Sequence, residues 1–142
     1  KGLAHVRASI DGELRSLGRQ PDGRGWAVAL EQPDPKTRAV HSVFDLHDVA
    51  VATSGNYRHW GELGGKRLSH TMDPARGAPL HDGPASVTVL AETSMRADAL
   101  ASACMVMGEI SGRAMAARRG AEALFLCDAG PEEPEHPRAD AS

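Results

Sequence analysis

The spacing of apolar and polar positions changes character near residue 93. Upstream, short apolar runs alternate with turn signals, the pattern of strands. Residues 5–10 and 13–17 flank Asp11-Gly12, a two-residue hairpin signal. Pro21-Asp22-Gly23 marks a further turn, and residues 26–31 follow as a strand. A two-proline loop over 32–36 leads to predicted strands over 39–46 and 49–53. Residues 56–67 are polar and Gly-rich, with a Gly64-Gly65 turn that predicts a hairpin ending at Leu68. Residues 73–84 hold three prolines and two glycines and predict a loop. Ser86-Val-Thr-Val-Leu-Ala91 is the clearest strand, and its weak alternation predicts that both of its faces are covered.

Downstream the pattern becomes helical. Thr93 or Ser94 caps a helix running to about Met107, where Gly108 stops it. A second helix covers about 110–119, and a strand covers 123–127. The interior of the first helix is nearly all apolar, so it is expected to be buried all round. Asp98 would then be a buried carboxylate in need of a partner. Residues 129–142 are Pro, Glu, Asp and Ala without periodicity and predict a disordered tail. These elements add up to one α+β domain, with mixed or antiparallel strands packed on helices.

Composition narrows the picture little. At 142 residues the chain is long enough for its own core, and with 4% aromatics that core must rest on Ala, Val, Leu and Met. A net charge of −3 offers no footprint for a nucleic-acid binder, so none is expected as partner. No apolar run approaches the length of a membrane span. Cys104 and Cys127 lack a Cys-x-x-Cys arrangement and are expected to be buried thiols. The seven histidines show no metal-ligand spacing.

Three segments carry candidate chemistry. Asp98 and Ser102 stand four residues apart, on one face of the predicted helix. Their oxygens suit a hard cation such as Mg²⁺, which also wants substrate phosphates. The same pair fits a carboxylate favoured by the helix dipole and a serine bonded back to its own helix. Thr53-Ser-Gly-Asn-Tyr57 follows a strand, and Gly55 permits a close backbone approach to phosphate or merely a strand exit. His70, in Ser69-His-Thr-Met-Asp-Pro74, could serve as a general base or as a structural histidine.

In this order and spacing the segments resemble the ApbE-like FAD:protein FMN transferases. The family pattern runs A-T-S-G-D-Y, then S-H-I-I-D-P-x-T-G-x-P, then S-V-T-V and A-D-A-L-A-T-A. The matching residues are Ala52-Thr-Ser-Gly-Asn-Tyr57, Ser69-His-Thr-Met-Asp-Pro-Ala-Arg-Gly-Ala-Pro79, Ser86-Val-Thr-Val89 and Ala97-Asp-Ala-Leu-Ala-Ser-Ala103. The resemblance covers about residues 1–128, as the C-terminal portion of the family domain, and Lys1-Gly2 is similar to a helix start entered midway. It implies an α+β fold with FAD in a cleft and Mg²⁺ at its pyrophosphate. It also implies attack by a Thr or Ser hydroxyl of an acceptor protein, with FMN retained and AMP released. By the same resemblance Asp98 and Ser102 are metal ligands and His70 is the base. Lys1, Ser54, Gly55, Met72 and Asp73 would meet the flavin substrate.

Three departures stand out. The upstream half of the family domain is not in this sequence, including a backbone carbonyl expected at the metal. Ala8-Ser-Ile-Asp-Gly12 replaces the family's N-A-G-G-D, and Asn56 replaces an acidic residue. The last two leave open a member that binds flavin or a partner without transfer. FAD pyrophosphate hydrolysis, with water as acceptor, is a third reading. The compartment stays open between bacterial cytoplasm and the periplasmic face of the inner membrane.

Overall fold

The computed structural model describes residues 2–33, 39–56, 60–63 and 66–127, with backbone alone for 60–63 and 66–68. The predicted tail over 129–142, Lys1 and the Gly64-Gly65 turn lie outside the described residues. In chain order the elements are β1 (Val6–Ile10), β2 (Glu13–Leu17), β3 (Trp26–Glu31), β4 (Val40–Leu46), β5 (Ala50–Gly55), β6 (Trp60–Leu63) and β7 (Lys66–Ser69). Then come β8 (Met72–Asp73), β9 (Ala78–Pro79), β10 (Ser86–Ala91), α1 (Ser94–Arg118) and β11 (Glu122–Leu126).

A five-stranded sheet in the order β1-β2-β5-β10-β11 forms the middle layer, and every neighbouring pair is antiparallel. Alternation along the strands sends successive residues to opposite faces. Ala50, Ala52, Val87, Val89 and Phe125 face α1 and pack with its Ala97, Ala101, Cys104, Met105 and Ala116. On the other face Leu14 and Val51 pack with Leu46 and the half-buried Val28 and Phe44 of the β3–β4 ribbon. β10 is therefore covered on both sides, as its sequence predicts, and Val87, Thr88 and Val89 are fully buried. The pairs β1–β2 and β6–β7 are antiparallel, as the hairpin signals between them predict, and β3 and β4, on either side of the two-proline loop, also pair antiparallel. At the first of these turns Asp11 (φ 49°) and Gly12 (φ 107°) are both left-handed, the geometry that such a two-residue turn requires.

α1 breaks at Gly108, whose φ of 74° and ψ of 176° are not helical. The two segments fold back on each other. Arg96 Nη2 donates to the Arg119 carbonyl at 2.6 Å, and a Cβ built on Gly112 would lie 3.3 Å from Cys104 Cα. The helix stop at Gly108 and the second helix thus appear where the sequence puts them.

Four expectations need correction. The first helical segment is not buried all round: Asp98, Ala99 and Ser102 are exposed, and Met95 is 79% exposed. Alanine explains the difference, because it reads as apolar yet exposes little surface, so an Ala-rich helix can bury a single stripe. Asp98 is consequently a solvent-facing carboxylate. Cys104 is buried, and its thiol is pushed up by burial, but Cys127 is exposed. Residues 73–84 are not all loop. The Asp73 carboxylate accepts from Ala75 N at 2.8 Å and turns the chain so that β8 and β9 pair.

Gly112 is a point of close approach between α1 and the sheet. A Cβ there would lie 2.8 Å from Phe125 Cζ as well as against Cys104. Gly112→Val should therefore cost about 1–3 kcal/mol of stability through overpacking. A thermal melt reads it directly, and an unchanged midpoint would contradict this packing.

Candidate active site

β5 delivers the first motif to the helix. Ala50 and Ala52 occupy the helix-facing positions of this strand, and Ser54 is next in the alternation. Its Oγ lies 3.2 Å from Ser102 Oγ on α1. Asp98 stands one helical turn before Ser102, on the same exposed face. The Asp98 carboxylate has no hydrogen bond or ion pair to any other described residue.

Those contacts weigh against the plainer explanations of the pair. Thr93 caps the helix, its Oγ1 accepting from Arg96 N at 3.3 Å, and no acidic residue lies in the first turn. Asp98 is therefore past the turn where the dipole acts most strongly. The hydroxyl of Ser102 finds its partner across the layer interface at Ser54, rather than on its own helix.

The second motif is tied to the first. Ser69 Oγ–H donates to Asn56 Oδ1, while Ser69 Oγ accepts from Thr71 N at 2.9 Å. The backbone closes the same turn, with Leu80 N donating to Thr71 O at 2.9 Å and Ser69 N to Leu80 O at 3.3 Å. His70 sits exposed on this braced turn. Asn56, the departure from an acidic residue, keeps an acceptor oxygen where Ser69 requires one. Ile10, the other departure, lies 75% exposed at the tip of the β1–β2 hairpin.

The remaining candidates are placed as follows. Gly55 continues β5 in extended backbone opposite Ser86 and does not use a positive φ. Met72 is 51% exposed. The Asp73 carboxylate is engaged by its own turn and pairs with Arg76 Nε at 3.5 Å. Lys1 lies outside the described residues.

Two polar groupings escaped the sequence reading. Thr53 Oγ1 and Thr88 Oγ1 are 2.8 Å apart on the face opposite α1. They line a cleft of about 170 Å³ with Leu14, Val28 and Phe44. The strand-period alternation of 53 and 88 was the available signal, but only the register places the two side by side. Arg76 Nη1 also lies 3.2 Å from His81 Nε2, and His81 Nδ1 lies 2.7 Å from Asp82. Their closeness in sequence was the only hint.

Among the described residues no three His, Cys, Asp or Glu side chains converge as a metal site. Asp98 and Ser102 supply two hard oxygens, which suits a cation that draws its other ligands from phosphate and water.

Comparison with known proteins identifies the family. The ApbE family model matches residues 1–125. The FAD:protein FMN transferase of Escherichia coli strain K12 is 37% identical over 130 residues, 92% of this chain and 37% of that protein. The FAD:protein FMN transferase of Vibrio cholerae serotype O1 is 42% identical over 116 residues, 82% of this chain and 35% of its own. In structure, the apo form of Pseudomonas stutzeri flavinyl transferase ApbE superposes with a TM-score of 0.74 at 40% identity, covering 91% of this chain and 40% of that one. This chain thus spans well under half the length of these relatives, yet the match runs through all three motifs: it belongs to the ApbE family.

Proposed function

We propose that residues 1–128 are the C-terminal portion of an Mg²⁺-dependent FAD:protein FMN transferase domain. What carries this reading is the exposed Asp98 carboxylate, without a hydrogen bond or ion pair to any other described residue, one helical turn from a Ser102 hydroxyl held from the neighbouring strand. A carboxylate without a partner among the described residues, beside a held hydroxyl, fits a cation ligand pair better than it fits a structural contact. The relatives named FAD:protein FMN transferase support the same substrate.

Asp98 and Ser102 would hold Mg²⁺ together with pyrophosphate oxygens of FAD. Bound there, the cation supplies charge neutralisation for the pyrophosphate. The chain's own residues do the rest. The Asn56–Ser69 bond holds the turn that presents His70. His70 takes the proton of an acceptor Thr or Ser hydroxyl as that oxygen bonds to the FMN-side phosphorus. The bond from this phosphorus to the AMP oxygen breaks, AMP leaves, and FMN remains on the acceptor as a phosphoester. Exposed Met72 offers apolar surface to the flavin, and the Asp73 turn braces it. Ser54 and Gly55 border the phosphate region at the end of β5. An acceptor protein with a reachable hydroxyl is the implied partner. No helix among the described residues is long and apolar enough to cross a membrane.

The test is FMN transfer from FAD to a Thr- or Ser-bearing acceptor peptide by the full-length protein, read by mass spectrometry. Wild type should add FMN only with Mg²⁺ present. Release of free FMN and AMP with no labelled peptide would instead identify a hydrolase, and tight FAD binding with neither product would identify a binding protein.

Two substitutions sharpen the assignment. Asp98→Ala should lower transfer by more than about 100-fold, beyond the ~10–100-fold typical of groups that only support a ligand. Ser102→Thr should keep most of it and Ser102→Ala should not; equal activity of the Ala variant would remove the ligand role.

His70→Ala should slow transfer by roughly 10²–10⁴-fold with FAD affinity retained. Titrating FAD alongside the rate separates the cases. A variant that loses FAD instead would make His70 a binding residue.

A further inference from the structure

We propose that Ser54 is a positioning residue that aims the Ser102 hydroxyl at the cation, an inference that rests on the metal reading of Asp98 and Ser102. A serine hydroxyl has one hydrogen to donate and two lone pairs to offer. When Ser102 Oγ gives a lone pair to a cation, its hydrogen must point away from that cation and find an acceptor. Ser54 Oγ, 3.2 Å away, is the acceptor that the fold provides. The hydroxyl hydrogen then points to β5, and the lone pairs turn toward the open side of the helix that Asp98 shares.

The fold leaves Ser102 one competing choice. Like any serine inside a helix, it can donate to the carbonyl four residues back, here that of Asp98 itself. That rotamer would swing the oxygen away from its present position. Donation from Ser102 Oγ to Ser54 Oγ competes with that rotamer and holds the side chain across the layer interface. Ser54 can do so because its strand position is the continuation of Ala50 and Ala52, both fully buried beneath the helix. It emerges where the interface reaches solvent, half-buried, beside the exposed Ser102. Outer partners of this kind orient metal ligands and tune affinity without touching the metal.

The role separates from a structural one by experiment. Mn²⁺ serves as the probe, and its binding to the full-length protein in the presence of FAD is read from the loss of the free-ion electron paramagnetic resonance signal. Ser54→Ala should bind Mn²⁺ roughly 10-fold more weakly, with an unchanged thermal midpoint in the absence of metal. Ser54→Thr, which keeps the hydroxyl, should restore binding. In a Ser102→Ala background, Ser54→Ala should cause no further loss, because its action runs through Ser102.

Wild-type affinity in Ser54→Ala, with Asp98→Ala defective, would overturn the Ser54 role and leave the metal reading standing. So would losses that add independently in the double variant. Unchanged affinity in Asp98→Ala, or no Mn²⁺ bound by wild type, would overturn the metal reading and the Ser54 role together.

Discussion

The distance between α1 and the strands beneath it governs the site. Ala97 and Ala101 meet Ala50, Ala52, Val87 and Val89 in one buried cluster. Small side chains on both surfaces let the backbones approach closely, and interiors packed to this density do not yield easily to added volume. That approach is what lets Ser54, with a side chain of one carbon and one oxygen, reach Ser102. Larger residues at Ala52 or Ala101 would lift the helix and part the hydroxyls. The same economy appears at Gly112, where the returning helical segment leaves no room for a Cβ beside Cys104 and Phe125.

A second constraint orders the motifs relative to one another. β5 ends at Gly55, Asn56 N donates to the Ala85 carbonyl at 2.9 Å, and the Asn56 side chain accepts from Ser69. Asn56 therefore ties the β5 exit both to the approach to β10 and to the His70 turn. An amide oxygen accepts the hydroxyl hydrogen of Ser69 as a carboxylate would, which accounts for an asparagine at this position without loss of the brace. At Ile10-Asp11 the hairpin absorbs the substitution differently. The pair forms an exposed turn tip whose left-handed geometry is met by Asp11 and Gly12.

Much of the fold was legible in the sequence because its cues are local. Asp11-Gly12 marks a hairpin, Ser86–Ala91 reads as a doubly covered strand, Thr93 caps the helix and Gly108 ends its first segment. Apolar identity and burial part company in the first helical segment. The helix around Asp98 is rich in alanine, and a period of 3.6 leaves half of those alanines facing out. The pairing of β8 with β9 depends on an Asp73 side-chain turn that composition alone reads as loop. The helical spacing of Asp98 and Ser102 was readable, as was their likeness to the family motif. The contacts of Ser102 with Ser54 and of Thr53 with Thr88 join residues 48 and 35 positions apart. They follow from strand register and layer packing, which no window of sequence contains.

The proposed function requires Asp98 and Ser102 to hold a divalent cation against the FAD pyrophosphate. Crystals of the full-length protein grown with FAD and Mn²⁺, with diffraction collected at the manganese edge, test this directly. An anomalous peak is expected within ligand distance of the Asp98 carboxylate, Ser102 Oγ and a phosphate oxygen of FAD. Bound FAD with no peak between those groups, or a peak held by other residues, would contradict that proposal.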